Sequence, residues 1–379
     1  MGRIWKTKGR SKLKTRKIFS NFTPYSWELS NAQIASLVGI EPSKVVRMDT
    51  NASPYLPTKS LAALSRKVEA LRVNDYPDTS YSDLRKELAR YCERTPENFV
   101  VTNGADEALD IIAKTLLDPG DEIIVPTPSY SMYKVVSEIS GARVVSAPRL
   151  PNFELDVERI RRKVNPKTKA IFVCSPNNPT GNSASPGQVR ELLELGRDLA
   201  VVVDEAYFEF SGKTVANLIQ NYDRVAIVRT FSKAFSMAGV RVGYVIAARE
   251  SVEKFNLVRP PNSVGVISLF LAQNALRERA EMRKNVGLIV KERQRMIERM
   301  RMQDTIRVFP SEANFILFRI TDGSPEEVHK RLMKRGIVLR KFSESRVIKN
   351  CLRVTVNIPE LNDRFLRSLA EEIDQLRTK

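Results

Sequence analysis

Lys233 has the residue type and the sequence setting that point most directly to chemistry. It lies just after an apolar, β-like run from Val225 to Val228, with Ser232 immediately before it and Arg241 eight residues after it. An amine at a strand end suits carbonyl chemistry, and a hydroxyl and a guanidinium nearby suit a phosphate. Together they predict that Lys233 carries pyridoxal phosphate (PLP) as a Schiff base. The alternative is an exposed loop lysine, the commonest fate of any lysine.

Two further polar segments also follow apolar runs. Asp204 comes directly after Ala200–Val203, and a carboxylate at a buried strand end is costly unless it is paired. A pyridinium N–H is a suitable partner, although Asp204 could instead cap a helix. Asn178 lies in the segment 175–181, a turn that would fix its amide as a donor to the phenolate oxygen of PLP, or that only reverses the chain. Tyr207 could reach the same oxygen.

Anion sites are predicted at two other places. Gly104–Glu107 lies between a strand-like run and a helical pattern, so the amides of Ala105 and Asp106 would hold the cofactor phosphate. Taken alone, the acidic residues of this segment would only complement a helix dipole. Arg353 stands in a β-rich run, where it suits a bidentate grip on a carboxylate or is an edge-strand surface arginine. The other phosphate ligands would be Thr230, Ser232 and Arg241.

The elements that must position these residues have an α/β pattern. From about residue 98 to 250, short Val- and Ile-rich runs alternate with helical patterns, which is typical of a mostly parallel sheet covered on both faces by helices. Ligands of such sheets lie beyond the carboxyl ends of the strands. After Asn262 comes one long helical stretch, Ile267 to about Met302, and then a smaller α+β domain. The predicted divisions are a disordered tail at 1–20, an N-terminal segment at 21–60 packing with the small domain, a large domain at 61–262, and a linking helix with the small domain at 263–379.

Composition limits the function classes. The chain has 379 residues, three widely spaced cysteines, and no CxxC pair or metal-ligand cluster around its single histidine, His329. No apolar run approaches the roughly 20 residues needed to span a membrane. These features predict a globular protein of a reducing, cytoplasmic compartment, with no disulfide, no metal and no membrane partner.

The net charge of +18 is partly local, because residues 1–17 carry eight basic and no acidic side chains. Such a block is usually a disordered, solvated tail. A nucleic-acid-binding arm is disfavoured because no basic-aromatic module follows it, whereas a transit peptide stays open. The remaining surplus of positive charge suits anionic ligands such as PLP and phosphorylated substrates.

With these motifs in this order, the chain resembles the fold-type I PLP enzymes of the class I and II aminotransferases, from about Tyr25 to Leu369. The resemblance implies a large domain with a mostly parallel, seven-stranded sheet between helices, and a smaller α+β domain. It implies that Lys233 binds the cofactor and later moves a proton, and that Asp204 pairs with the pyridine nitrogen. The ring oxygen would be held by Asn178 and Tyr207. The phosphate would be held by Ala105, Asp106, Thr230, Ser232 and Arg241.

The same resemblance assigns the ring face and the subunit contact. Tyr130, in the segment 128–133, matches the aromatic residue that covers the ring. Tyr76, in the segment 74–78, matches a tyrosine that reaches the phosphate of the neighbouring subunit. This match implies a homodimer with shared active sites. Arg353 would bind the α-carboxylate of glutamate and 2-oxoglutarate.

Three segments favour the histidinol-phosphate branch of the family. Thr23-Pro-Tyr25 resembles its N-terminal substrate tyrosine, Gly336–Arg340 resembles the segment whose arginine meets the substrate phosphate, and Tyr76-Pro-Asp78 is typical of the branch. The branch implies transfer of an amino group from histidinol phosphate to 2-oxoglutarate, giving imidazole acetol phosphate and glutamate in histidine biosynthesis. Arg340 and Arg353 would then be two anion grips, one for each kind of substrate.

Three departures from the family pattern leave the amino donor open. In the segment 51–54, which resembles the family's Asn-Glu-Asn-Pro, Asn51 is kept as a substrate-facing residue but Ala52 replaces the acid. Pro261 stands where a tyrosine is common, and Asn357 begins a segment that replaces the usual Gly-Thr-basic run. Threonine-phosphate decarboxylase and an aromatic or broad-specificity aminotransferase are therefore alternatives. A PLP-binding transcription regulator is disfavoured because the basic tail is too short for a DNA-binding domain.

Overall fold

The computed structural model describes residues 13–20, 22–25, 28–342, 345 and 347–377. Residues 1–12 of the predicted tail therefore lie outside the described residues. Arg16 donates from Nη1 to the carbonyl oxygen of Ile139 at 2.9 Å, and Lys17–Ser20 forms a short 3-10 turn. Within the described ranges, no helix has the length and apolar character that a membrane crossing needs.

The described residues form two sheets with helices around them. The strands are β1 (Val46–Met48), β2 (Phe99–Thr102), β3 (Glu122–Thr127), β4 (Arg143–Pro148), β5 (Thr168–Cys174), β6 (Ala200–Asp204), β7 (Val225–Thr230), β8 (Gly243–Ala247), β9 (Ile306–Val308), β10 (Phe315–Ile320), β11 (Ile337–Lys341) and β12 (Cys351–Thr355). The helices are α1 (Asn31–Val38), α2 (Thr58–Lys67), α3 (Ser82–Cys92), α4 (Gly104–Leu116), α5 (Met132–Ile139), α6 (Val157–Arg161), α7 (Pro186–Leu193), α8 (Phe208–Ser211), α9 (Arg249–Val258), α10 (Val266–Arg277), α11 (Arg279–Arg301), α12 (Pro325–Lys334) and α13 (Pro359–Arg377).

The large sheet has seven strands in the order β2-β8-β7-β6-β5-β3-β4. All neighbours are parallel except β8, which runs antiparallel to both β2 and β7. Alternate residues of β5 enter different cores, since Ile171 and Val173 pack on one face and Ala170 and Phe172 on the other. Burial on both faces explains the continuous apolar runs, and each fully buried Val or Ile contributes about 1.5–3 kcal/mol. The predicted α/β class with a mostly parallel sheet is confirmed.

The small sheet has the order β1-β11-β12-β10-β9. Its edge strand β1 comes from the N-terminal part of the chain and pairs in parallel with β11, Val46 facing Ile337. Shortly after β1, the carbonyl oxygen of Thr50 accepts from Nζ of Lys233, which follows strand β7 of the large sheet. The exact domain boundaries stay predictions.

Two elements differ from the sequence expectation. Strand β4 lies at the edge of the large sheet and is half-exposed, so it lacks the apolar run that marks a buried strand. The single helix predicted from Ile267 to Met302 is interrupted at Glu278, between α10 and α11. The carboxylate of Glu278 pairs with Lys59 at 2.7 Å, and Glu281 accepts the backbone N–H of Thr58 at 3.1 Å. The break therefore places two carboxylates at the start of α2, where unpaired backbone N–H groups need acceptors.

Candidate active site

A cradle of donors lies where α4 begins, beside the end of β7. Thr230 donates from Oγ1 to Ser232 Oγ at 3.0 Å, and Arg241 donates from Nη1 to the same oxygen at 3.3 Å. Arg241 also lies 3.4 Å from Asp106 through Nη2 and Oδ2. The first turn of α4, with Ala105, adds the backbone N–H groups that a helix start offers to an anion. Hydroxyls, a guanidinium and a helix N-terminus thus converge, as phosphate binding requires.

Two glycines keep this cradle open. Gly104 has φ +76°, and a Cβ atom there would lie 2.5 Å from Nη2 of Arg241. A Cβ atom on Gly243 would lie 2.5 Å from the carbonyl carbon of Gly104, so β8 can approach α4 only without a side chain. The space that these missing side chains leave is bordered by the cradle donors, and a phosphate group fits its chemistry.

Asp204 is the last residue of β6 and is buried among defined donors. The Tyr133 hydroxyl donates to Oδ2 at 2.7 Å, and the backbone N–H of Ala206 donates to Oδ1 at 3.0 Å. Burial raises the pKa of Asp204 to about 6, and these hydrogen bonds oppose the rise. A carboxylate in this setting is stabilised by a cationic partner, and a protonated pyridine nitrogen has the required charge.

The Lys233 amine lies close to the small sheet and to two arginines. Its Nζ donates to the carbonyl oxygen of Thr50 at 3.1 Å and lies 5.8 Å from the centre of the Tyr207 ring. Burial lowers the pKa of this amine to about 8, and the charges of Arg353 and Arg241 lower it further. About a tenth of the amine is then neutral at pH 7, against about one part in 3000 at the usual lysine pKa. The neutral amine is the form that attacks a carbonyl.

Arg353, the residue predicted to bind a carboxylate, contacts Asn178, the predicted donor to the ring oxygen. It is buried in β12, with Nη1 donating to Oδ1 of Asn178 and Nη2 donating to the carbonyl oxygen of Asp49. Its Nε is buried and has no hydrogen-bond partner among the described residues. Because Oδ1 of Asn178 accepts from Arg353, the amide NH₂ group of Asn178 remains the donor end. The guanidinium retains donor capacity for an anion.

Two tyrosines complete the predicted cofactor set. The hydroxyl of Tyr207, which is buried, lies 3.0 Å from Nδ2 of Asn51. Tyr130 donates to Oδ1 of Asp106 at 3.0 Å, and its ring centre lies 6.3 Å from that of Tyr25. The structure therefore brings Asn51 and Tyr25 to the same crevice as the cofactor residues. The substrate contacts predicted for these two residues stay predictions.

A family model described as aminotransferase class I and II matches residues 43–373. The chain belongs to the class I and II aminotransferases. The aminotransferase is 37% identical over 327 residues to the histidinol-phosphate aminotransferase of Caldanaerobacter subterraneus subsp. tengcongensis, a match that covers 86% of this chain and 92% of that protein. Family membership makes the chain a PLP-dependent transaminase, and the cradle, Lys233 and Asp204 have the chemistry to hold PLP.

Solved structures confirm the fold of the aminotransferase. The histidinol-phosphate aminotransferase of Sinorhizobium meliloti in complex with PLP has a TM-score of 0.87 at 22% identity, with 97% of this chain and 99% of that chain covered. The histidinol-phosphate aminotransferase of Clostridium acetobutylicum has a TM-score of 0.80 at 27% identity, with 86% and 99% covered. The large sheet between helices is therefore the fold-type I architecture predicted from the sequence.

The substrate side of the aminotransferase contains an acid that was not predicted. Arg340 in β11 lies directly opposite Arg353 in β12. Glu28 pairs with Arg340, with 3.0 Å between Oε1 and Nη1, and the hydroxyl of Tyr25 donates to the same Oε1 at 2.9 Å. Burial and Glu28 together raise the pKa of Tyr25 to about 12. A single carboxylate thus bridges Tyr25, the predicted substrate tyrosine, and Arg340, the residue predicted to meet a substrate phosphate.

The remaining predicted positions lie further from this centre. The side chain of Tyr76 is 87% exposed, which leaves it accessible for the subunit contact that stays a prediction. Asn357 lies just before α13, whose first residue is Pro359. The backbone N–H of Asn357 donates to Oδ1 of Asn362 within this helix at 2.8 Å. Pro261 is exposed.

Among the described residues, no group of three or more His, Cys, Asp or Glu side chains could hold a metal ion.

Two residues that contact the site, Tyr133 and Glu28, were not predicted, for different reasons. Tyr133 lies three residues after Tyr130 in the same segment, and the two ring centres are 5.7 Å apart, so its approach to the site had a signal in the sequence. Glu28 had none, because it belongs to an irregular segment and meets Arg340 across 312 residues of sequence.

Proposed function

We propose that this aminotransferase transfers the amino group of histidinol phosphate to 2-oxoglutarate, giving imidazole acetol phosphate and glutamate. The direct pairing of Arg340 and Arg353 across β11 and β12 carries the proposal. Like charges directly opposite each other destabilise a sheet, so the pair favours substrates that bring anionic groups. A phosphorylated donor and a dicarboxylate acceptor bring such groups, and the relative at 37% identity is a histidinol-phosphate aminotransferase.

The two arginines would divide these anions between them. Arg353 is the more buried and is close enough to Lys233 to lower the pKa of its amine, so it suits the α-carboxylate of glutamate and 2-oxoglutarate. Arg340 would bind the phosphate of the donor together with Tyr25. Glu28 contacts both residues, and it would release Arg340 when a phosphate binds.

Other residues would hold the cofactor, which when bound supplies an electron sink for the bond that breaks at the amino-bearing carbon. Lys233 would bind it covalently, and Asp204 would hold a proton on its ring nitrogen. Tyr130 would cover the ring face. The ring oxygen would be held by Asn178 and Tyr207. The phosphate would be held by Ala105, Asp106, Thr230, Ser232 and Arg241.

Lys233 would also be the general base of the reaction. It would accept the proton that leaves the substrate carbon bearing the amino group. A base works best when its pKa is near the operating pH, and the lowered pKa of Lys233, about 8, meets that condition. Burial of the amine is the largest cause of this value, whereas the Thr50 carbonyl, which accepts from the amine, favours the charged form.

The active assembly would be a homodimer in the cytoplasm. Tyr76 lies on a surface with other exposed apolar side chains nearby in sequence, Val73 and Val68 among them. Exposed aromatic and apolar groups of this kind favour a subunit interface, from which Tyr76 would reach the partner's cofactor phosphate. The three free cysteines suit a reducing compartment. Analytical ultracentrifugation would show a species of twice the chain mass.

Arg340→Met is expected to raise KM for histidinol phosphate about 10- to 100-fold, because a charge-assisted contact to phosphate contributes about 1.5–3 kcal/mol. Arg353→Lys keeps the charge but loses the two-point geometry, so it should raise KM for 2-oxoglutarate instead. Steady-state kinetics with each substrate varied in turn would measure both effects.

Glu28→Gln is the matched control for this pair of variants. It removes the charge that competes for Arg340, so KM for histidinol phosphate should fall rather than rise. Equal effects of Arg340→Met on both substrates would contradict the proposed division. Release of carbon dioxide from threonine phosphate, without amino transfer from histidinol phosphate, would favour the decarboxylase alternative. Conversion of phenylalanine or tyrosine instead would favour the aromatic one.

A further inference from the structure

Three consecutive residues between β1 and α2 touch three different groups of the active site. The carbonyl oxygen of Asp49 accepts from Arg353, the carbonyl oxygen of Thr50 accepts from Lys233 at 3.1 Å, and Nδ2 of Asn51 lies 3.0 Å from the Tyr207 hydroxyl. We call these residues the 49–51 segment. Because β1 belongs to the small sheet, the segment links that sheet directly to the reaction centre.

Asn51 is held in one orientation from the small-domain side. Its backbone N–H donates to Oγ1 of Thr355 at 3.0 Å, and its carbonyl oxygen accepts from Nδ2 of Asn314 at 3.0 Å. The Thr355 hydroxyl then donates to Oδ1 of Asn51 at 3.2 Å. Asn51 also has φ +55°, in the left-handed region, and is only 1% exposed. Its backbone and its amide oxygen are therefore fixed by Thr355 of β12 and by Asn314, which directly precedes β10.

This orientation decides the direction of the hydrogen bond to Tyr207. The Thr355 hydroxyl has one proton, which goes to Oδ1 of Asn51, so the NH₂ end of the amide must face Tyr207. An NH₂ group can only donate, and the Tyr207 oxygen therefore accepts. The phenolic proton of Tyr207 remains for another acceptor.

We propose that Asn51 is a positioning residue that fixes Tyr207 as a hydrogen-bond donor to the ring oxygen of PLP and couples this donor to the small sheet. The proposal rests on the cofactor contact proposed for Tyr207. It assigns Asn51 an action through Tyr207, separate from the substrate contact predicted for Asn51. Titratable and charged groups that face Tyr207 are Arg353 on β12, Cys174 and Asp204 at the ends of β5 and β6, and Lys233, whose Nζ lies 5.8 Å from the ring centre.

The pH midpoint of the visible absorbance of bound PLP is the decisive measurement, because it reports how strongly the ring oxygen is stabilised by donors. Tyr207→Phe removes the donor and should raise the midpoint by about one to two pH units. Asn51→Gly suits the left-handed backbone and adds no charge, and it should raise the midpoint by about 0.5 to 1 unit. In the double variant the midpoint should match that of Tyr207→Phe alone, since Asn51 acts through Tyr207.

A second pair of variants keeps Asn51 itself unchanged. Thr355→Val removes the hydroxyl that fixes the Asn51 amide and should raise the midpoint, whereas Thr355→Ser retains the hydroxyl and should leave it at the wild-type value. The melting temperature of the cofactor-free protein is measured in parallel. A purely structural role would lower that temperature without moving the midpoint.

An unchanged midpoint in Asn51→Gly or in Thr355→Val would overturn the proposal, and so would fully additive shifts in the double variant. If Asn51→Gly does not fold, the Thr355 pair alone decides between these outcomes. The measurement uses the holoenzyme without substrate. A different amino donor would therefore leave its result intact and would be recognised separately by the substrate kinetics.

Discussion

Turnover is expected to fall by about 10⁴-fold or more when Lys233 is replaced by alanine, because one amine would both bind the cofactor and act as the general base. The cofactor should still bind through Asp204 and the phosphate cradle, so the variant would be loaded but inactive. Steady-state assays would measure the loss of turnover. The intact mass after borohydride reduction would measure the loss of covalent attachment. Wild type should gain the mass of the reduced cofactor, and Lys233→Ala should gain none.

The pH dependence of cofactor attachment follows from the same amine. Only neutral Lys233 attacks the aldehyde, and its pKa is lowered to about 8 by burial, with Arg353 adding to the effect. The attachment rate of the cofactor-free enzyme should therefore rise about tenfold per pH unit at low pH and level off above pH 8. Stopped-flow absorbance would follow this rate.

Lys169→Ala is a suitable control, because this lysine is exposed on strand β5 of the same sheet. It should match wild type in turnover, in mass gain and in the pH profile. Normal turnover of Lys233→Ala, or a reduced adduct on that variant, would remove Lys233 from the role proposed for it. A rate that continues to rise up to pH 10 would instead show that the amine is not desolvated.

The large sheet could be predicted because its strands are buried on both faces. Val201, Val202 and Val203 are all buried in β6, so the sequence carries an unbroken apolar run that only a covered sheet explains. The edge strand β4 carries no such run, and its existence depends on pairing with β3. Local sequence therefore identifies central strands and misses an edge strand whose stability comes from its neighbour.

The placement of two predicted cofactor residues had a local signal for a related reason. Asp204 and Thr230 end buried strands, where a polar side chain needs a partner, and together with Lys233 they indicated a shared ligand. The contacts of the 49–51 segment could not be predicted, because they join residues 156 to 304 positions apart. Such contacts depend on how the small sheet sits over the large one, which no local pattern specifies. The role of Glu28 is hidden for the same reason.

Asp204→Asn is expected to lower kcat about 10²- to 10⁴-fold, because breaking a buried charge pair costs about 3–5 kcal/mol. The variant keeps the size of the side chain, and the Tyr133 hydroxyl and the Ala206 N–H still meet a polar group. It loses the negative charge that would hold a proton on the ring nitrogen. The cofactor should also bind more weakly, as equilibrium dialysis would show.

The same substitution should act in the opposite direction on the stability of the cofactor-free protein. The folded-state pKa of Asp204, about 6, lies above the unfolded value of 3.8, so the folded chain binds this proton more tightly. The resulting stabilisation is fully present below pH 3.8 and is lost as the pH rises through 6. At pH 8 the buried carboxylate therefore destabilises the cofactor-free fold by up to about 3 kcal/mol, and an uncharged asparagine avoids this cost.

Urea unfolding of cofactor-free protein at pH 5 and pH 8 would test the sign. Asp204→Asn should exceed wild type in free energy of unfolding at pH 8, and the difference should shrink at pH 5. Tyr133→Phe provides a matched comparison, since loss of its donor should raise the pKa of Asp204 further and lower kcat. The exposed substitution Asp83→Asn should change neither property.

The opposite effects of Asp204→Asn on kcat and on the stability of the cofactor-free protein separate a catalytic carboxylate from a structural one. If the carboxylate only joined β6 to α5 through Tyr133, its replacement would lower both the stability and the activity of the enzyme. A carboxylate kept for the cofactor costs stability until the cationic ring arrives, after which PLP should stabilise wild type more than Asp204→Asn. Parallel stability curves for wild type and Asp204→Asn, with equal stabilisation by PLP, would contradict the pairing of Asp204 with the ring nitrogen.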